Sequence, residues 1–188
     1  MEVDNNKIIH LYMLDECKHK CKFCCNKQYD CSAIPVVTVD ELKYADTVCL
    51  TGGEPFLLDN VCDFAEKIKT QYPNIKTIYV YSCGDSLYDW LNKNGRLHHI
   101  DGVNLSPKNK YDVECVAKIF ESGYFREQIL SLWSNRIYLF PNVIEEWNKY
   151  DTLRFLSDYE SVNVLKREWQ EEFVAASGIF RRLPILFG

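Results

Sequence analysis

Three cysteines crowd into one short run of this chain, Cys17-Lys18-His19-Lys20-Cys21-Lys22-Phe23-Cys24, at the spacing CxxxCxxC. Thiolates this close in sequence suit an iron–sulfur cluster or a zinc ion. A closed structural site takes four protein ligands, so a three-cysteine loop leaves one metal position open for a substrate or cofactor. Lys18, Lys20 and Lys22 alternate with the cysteines, and their charge favours thiolates and a net-negative metal group. Cys25, Cys31 and His19 stand close by in sequence, so a zinc ion completed by one of them is the alternative occupant. A second candidate segment is Thr51-Gly52-Gly53-Glu54-Pro55, where two conformationally permissive glycines precede an acid.

A regular alternation of strands and helices has to position these residues. Residues 8–14 are almost continuously apolar, the pattern of a strand buried on both faces, with His10 inside it as a hydrogen-bonded core residue. A loop of about residues 15–37 carries the cysteines, and loops of that length are usually functional. Residues 38–45 predict a short helix, and 47–51 a second strand that runs straight into the glycines. Val61, Phe64, Ala65 and Ile68 fall at i, i+3, i+4 and i+7, a helix capped by Asp59 or Asn60. Residues 77–82 read as strand three, followed by a helix capped by Ser86 and stopped by Gly95. Strand four spans 100–106, and its helix uses Val113, Val116, Ala117 and Phe120 before Gly123. An extra helix fits 124–133. Strand five at 136–140, a helix at 143–150, strand six at 152–156 and a last helix at 161–177 complete the pattern.

Six strand–helix units without a composition break argue for an α/β chain with a single domain over residues 1–188. Such alternation implies parallel strands joined by right-handed crossovers, and six units are too few for a closed eight-stranded barrel. A doubly wound open sheet is the alternative on pattern alone. The cysteine loop follows strand one and the glycines follow strand two. Both therefore belong at the carboxyl ends of adjacent strands, facing one crevice, where ligands bind in parallel α/β folds.

The CxxxCxxC loop and the Gly52-Gly53-Glu54 segment, in this order, resemble the radical S-adenosylmethionine (SAM) superfamily. The resemblance covers most of the chain and implies a partial (β/α)6 TIM-like barrel with a parallel sheet. It implies a [4Fe–4S] cluster on Cys17, Cys21 and Cys24, with the fourth iron chelated by the amino and carboxylate groups of SAM. The Phe23 backbone is expected at the adenine, and Gly52, Gly53 and Glu54 at the methionyl amino group. The ribose hydroxyls are expected at polar groups on the ends of strands three to five, where Ser82, Asn104 and Ser106 stand. The implied chemistry is one-electron reductive cleavage of SAM to methionine and a 5′-deoxyadenosyl radical that abstracts hydrogen from a substrate. A donor such as flavodoxin supplies the electron.

Two subfamilies share further residues. The run from Cys17 to Asn26 is similar to the CxHxCxxCxN loop of glycyl-radical activases, which implies a glycine of a partner glycyl-radical enzyme as substrate. In this chain Leu11-Tyr12-Met13-Leu14-Asp15 replaces their basic, glycine-containing stretch, and Glu54 replaces their aspartate. Thr51-Gly52-Gly53-Glu54-Pro55 with Ser106-Pro107-Lys108 resembles 7-carboxy-7-deazaguanine synthase, a ring-contracting enzyme of a small-molecule substrate, and Lys108 would then meet a substrate anion. Cys25-Asn26 stands where that family carries an Asp-Thr or Asp-Ser tied to magnesium. The activase pattern leads, and a zinc-binding interaction module is the non-enzyme reading.

Composition bounds these readings. At 188 residues the chain can bury a real core, and 47% hydrophobic with 26% charged residues is ordinary for a globular domain. A net charge of −5 speaks against general binding to nucleic-acid phosphates. No apolar run approaches the ~18 residues of a membrane span. Met1-Glu2-Val3-Asp4 lacks the plan of a signal peptide, so a cytoplasmic location is expected. Nine cysteines, an odd number, fit metal binding in a reducing compartment. Cys49, Cys62, Cys83 and Cys115 sit singly in apolar context and read as core thiols. Arg181-Arg182 reads as a solvated pair, and the apolar residues 183–187 as a tail that packs on the barrel or covers one edge of the sheet.

Overall fold

A computed structural model of the chain describes residues 7–22, 24–27, 30–169 and 178–184. Among these residues seven strands make one sheet: β1 Ile8–Tyr12, β2 Thr47–Thr51, β3 Thr77–Ser82, β4 Gly102–Leu105, β5 Asn135–Leu139, β6 Val162–Lys166 and β7 Ile179–Arg182. Every pairing is parallel, and the order across the sheet is β6-β5-β4-β3-β2-β1-β7. From β1 to β6 the order is sequential and never reverses, so that stretch has no topological switch point of the doubly wound kind. Among the described residues, no helix is long and apolar enough to cross a membrane.

The helices are α1 Val39–Tyr44, α2 Val61–Gln71, α3 Asp85–Asn94, α4 Lys110–Glu121, α5 Gly123–Leu130, α6 Pro141–Trp147 and α7 Asp151–Arg154. Their ends follow local chemistry. Thr38 and Glu41 form a reciprocal capping box on α1. The Asn109 side chain accepts from the Asp112 N–H at the start of α4. Pro141 opens α6, where no amide hydrogen is needed, and Gly95 ends α3 at φ +80°. Ser86 is not the cap of α3. Gly84 takes that position, and Ser86 is buried inside the helix with its hydroxyl on Asp85.

The sheet has two unlike faces, and the alternation of side chains along each strand creates them. Ile9, Leu11, Val48, Leu50, Ile78, Val80, Val103, Leu105, Ile137 and Leu139 point one way, into a core shared with Val61, Ala65 and Ile68 of α2 and Leu87, Trp90 and Leu91 of α3. The same core takes Val113, Val116, Ala117 and Phe120 of α4. The intervening positions point the other way. They are His10, Cys49, Tyr79, Tyr81, Asn104, Arg136 and Tyr138, a face of rings and hydrogen-bonding groups. His10 is buried there, stacked on Phe180 at 4.7 Å.

The carboxyl-terminal third differs from the expected pattern. Residues 152–156 are not a strand: Leu153 and Leu156 are three residues apart and both buried, a helical period that α7 and the 3-10 turn Leu156–Asp158 satisfy. Strand six is Val162–Lys166, where the last helix was expected to begin, and residues 170–177 of that helix lie outside the described residues. The seventh strand, β7, joins the sheet beside β1, pairing Ile9 with Ile179 and Tyr12 with Arg182. Arg181 and Arg182 are therefore not a solvated pair. Arg181 forms an ion pair with Glu41 at 2.6 Å, and Arg182 donates to the Ile34 carbonyl at 2.9 Å. Residues 185–187 of the expected apolar tail also lie outside the described residues.

One glycine fixes how closely the strands pack. A Cβ on Gly102 would lie 1.8 Å from the Ser134 carbonyl and 2.7 Å from the Tyr79 ring, so neither neighbour leaves room. Gly102→Ala should cost about 3 kcal/mol through overpacking, seen in thermal denaturation as a drop of about 6–12 °C. Gly123→Ala, at the open start of α5 with nothing within 4 Å, should leave the melting temperature within about 2 °C of wild type.

Candidate metal and cofactor site

The cysteine loop and the glycine segment meet as continuations of β1 and β2. The Met13 N–H donates to the Thr51 carbonyl (2.9 Å), the Gly53 N–H to Leu14 (2.6 Å) and the Glu54 N–H to Glu16 (2.8 Å). Only glycines permit this approach. Gly52 has φ +112°, and a Cβ on Gly53 would lie 1.8 Å from the Glu16 carbonyl oxygen. The missing side chains thus make room for the backbone that leads into Cys17. Asn26 closes the loop from its far side, donating to the Gly52 carbonyl at 2.8 Å, and Lys27 donates to the Cys21 carbonyl at 2.8 Å.

On this frame Cys17 is exposed, while Cys21 and Cys24 are half-buried; all three are free thiols. Partial burial raises Cys17 above the ordinary thiol value, with the charges of Glu54 and Cys24 adding to the shift. Burial, with Cys17, Asp112 and Cys24 as further contributors, pushes Cys21 up to about 11. The loop by itself therefore favours thiols at these two positions, and a bound metal is what would draw their protons off. Of the lysines in the loop, Lys18 is engaged by Asp89 and Asp85. Phe23 lies outside the described residues.

Beside the thiols the strand ends collect three buried acids. Glu54 is 2% exposed, and its Oε2 accepts from the Cys83 N–H at 3.0 Å and lies 3.0 Å from the Cys83 sulfur. The Cys83 thiol also lies 2.8 Å from Asp85 Oδ1, so one S–H is shared between two carboxylates. Asp85 Oδ2 lies 2.8 Å from His19 Nε2, and Asp112 Oδ1 lies 3.6 Å from the same nitrogen. Two oxygens in this cup have no hydrogen-bond partner, Glu54 Oε1 and Asp112 Oδ1. Burial raises the Glu54 and Asp112 carboxyls above the usual range. Burial pushes Asp85 the same way, yet the hydrogen bonds of Cys83 and His19 and the charge of Lys18 outweigh it and hold Asp85 below. In two groups, His19/Asp85/Asp112 and Glu54/Cys83/Asp85, the ligand atoms converge within 4.8 Å; the loop cysteines form no such group among the described residues. A cup this acidic, with orphaned oxygens, calls for a cationic guest.

The expected ribose contacts separate. Ser82 aligns with Leu105 on the helix-covered side, and its hydroxyl accepts from the Gly84 N–H. Asn104 lies on the opposite face, fully buried, with both amide atoms unpartnered. Ser106 is half-buried just beyond β4, its N–H on the Ser82 carbonyl. A cleft of about 620 Å³ opens next to the cysteine loop, with Tyr12, Asp15, Cys31 and Arg182 in its wall.

Cys49, Cys62 and Cys115 are the buried core thiols expected of them. Cys83 is buried too, but it belongs to the acidic cup. Cys83 was expected only as a core thiol, and Asp85 and Asp112 were not singled out from the sequence, although Ser82-Cys83-Gly84-Asp85 stands at the carboxyl end of a strand, where polar residues signal a ligand. No protein-family model matches the chain, and no curated protein matches it.

The raised Glu54 carboxyl makes a pH-dependent contribution. The folded chain holds that proton more tightly than the unfolded chain, so the stabilisation is full at acid pH and fades as pH rises through the raised value. Glu54→Gln has no such titration, so the variant should gain stability relative to wild type as pH rises above the ordinary carboxylate range. Parallel thermal melts of the metal-free proteins would check this; parallel pH profiles would mean that Glu54 does not titrate above that range.

Proposed function

We propose that this chain is a radical SAM enzyme. The observation that carries the reading is the fused cysteine–glycine platform: three thiols on a loop pinned to the Gly52-Gly53-Glu54 turn, beside a buried acidic cup with two orphaned carboxylate oxygens. Cys17, Cys21 and Cys24 would hold a [4Fe–4S] cluster. Glu54, through its unpartnered oxygen, would take the methionyl ammonium of SAM, whose sulfonium adds a second positive charge suited to the same cup. When bound, cluster and SAM supply one-electron reductive cleavage that yields a 5′-deoxyadenosyl radical. The protein's part is to hold and orient. Asn26 and the glycine backbone fix the loop, Lys18 and His19 dock it on Asp85 and Asp89, and the Cys83 N–H aims the Glu54 carboxylate. The finer fold in this reading is a partial (β/α)6 TIM-like barrel, supported by the sequential strand order from β1 to β6.

Two substrate classes follow from different features. The ring-rich, polar sheet face with its orphaned Asn104 amide favours a small-molecule substrate held against that face. The open cleft beside the cysteine loop, with the Cys17-to-Asn26 spacing, favours the second reading, a glycine on a partner glycyl-radical enzyme. An electron donor such as flavodoxin and a cytoplasmic setting belong to either.

Anaerobic reconstitution with iron and sulfide, followed by SAM and dithionite, should give 5′-deoxyadenosine from wild type. Cys24→Ala should fall at least about 100-fold, because a lost metal ligand costs no less than a lost supporting contact. A colourless protein that binds zinc tightly and forms no product would replace the enzyme with a metal-stabilised binding module.

A further inference from the structure

The polar face of the sheet carries two arginines, Arg136 and Arg167, that the proposed function does not use. Across three adjacent strands, Tyr81, Asn104 and Arg136 stand in register on the side away from the helices. Asn104 is completely buried, and neither its amide oxygen nor its amide nitrogen has a partner. An amide so placed is costly unless something with both a donor and an acceptor meets it. One row down, Gly102 stands in register with Tyr79, whose ring fills the space a side chain there would need, and the Arg136 guanidinium lies 5.6 Å from that ring. Arg136 is half-buried, and among the described residues no carboxylate pairs with it. Its neighbours are tyrosines instead: Tyr138, Tyr79 and Tyr81. Towards the carboxyl end of the same face, Arg167 lies 4.2 Å from the Tyr138 ring, again without a carboxylate among the described residues.

In a chain with 27 acidic against 22 basic residues, two guanidiniums on one face that face rings rather than acids are unusual. A guanidinium over a ring keeps its N–H edge for an oxyanion, and Arg presents that edge in the geometry of a carboxylate or phosphate. We infer that this face binds a small molecule through an oxyanion, carboxylate or phosphate, taken by Arg136, with the Asn104 amide reading an adjacent polar group and Arg167 nearer the rim. The molecule's far end would then lie towards the carboxyl ends of the strands, where the cysteine loop sits. Calling this molecule the substrate rests on the proposed function; its binding does not.

The test uses the full chain without iron or SAM. Benzoate and phenyl phosphate are titrated by calorimetry against benzamide, a neutral molecule of similar shape, on wild type and on Arg136→Gln. At least one anion should bind about tenfold or more tightly than benzamide, as a charge-assisted contact requires. That preference should vanish in Arg136→Gln and persist in Arg96→Gln, an exposed arginine elsewhere. The tighter anion assigns the source, carboxylate or phosphate. If Arg136→Gln loses its circular-dichroism signature, Arg167→Gln carries the comparison, with a weakened preference expected. No preference for either anion over benzamide, or one untouched in the folded variant, overturns the inference. A chain that cleaves SAM yet ignores both anions fails here alone; one that binds an anion and never cleaves SAM fails the proposed function alone.

Discussion

The site depends on the contact between the Gly52-Gly53 turn and the backbone of residues 14–16. Three inter-segment hydrogen bonds extend the β1–β2 ladder beyond the strands themselves, and they need two backbones closer than any side chain would allow. Everything chemical hangs on that seam. It aims the cysteine loop, it directs Glu54 into the interior, and through Glu54 it reaches Cys83 at the end of β3. Asn26 ties the loop's return to the Gly52 carbonyl, so the entry and exit of the cysteine segment share one anchor.

Electrostatics around this seam are divided. The acidic cup sits under the loop at the ends of β2 to β4 and is balanced in part by Lys18 and His19. The cations on the polar sheet face, Arg136 and Arg167, are associated with β5 and β6 and lean on tyrosine rings. The acidic and basic groups thus fall in separate regions, one on the cup beneath the loop and one on the polar sheet face. The helix-covered face separates neither; it supplies the rigid apolar layer that lets both polar regions stay in place.

Much of this was legible in sequence. Strands two and three were expected at 47–51 and 77–82 and occur there, because their β-branched and aromatic runs are bounded by clear turn residues. The convergence of the cysteine loop and the glycines followed from parallel-sheet geometry alone, and β1 and β2 are indeed neighbours. The carboxyl-terminal third resisted for physical reasons. Residues 152–156 mix β-branched and apolar residues that fit either period, and burial of Leu153 with Leu156 decides for a helical turn. β7 is four residues with two arginines, a pattern that reads as surface until Glu41 and the Ile34 carbonyl are seen to receive them. The acidic cup escaped because its members, Glu54, Asp85 and Asp112, come from three separate strand–helix turns, and no spacing rule joins them.

The place of β7 beside β1 also has a meaning for how the molecule comes into being. β1 is synthesised well before β7, yet among the described residues one of its two edges is covered by Ile179–Arg182. Until then the strand that precedes the cysteine loop has an open edge of unpaired amides and carbonyls, the kind that invites pairing with another chain. Contacts between residues so distant in sequence are entropically slow to form. Completion of the β1 flank, and with it the side of the cleft that Arg182 lines, therefore belongs to the last events of folding, after synthesis of nearly the whole sheet.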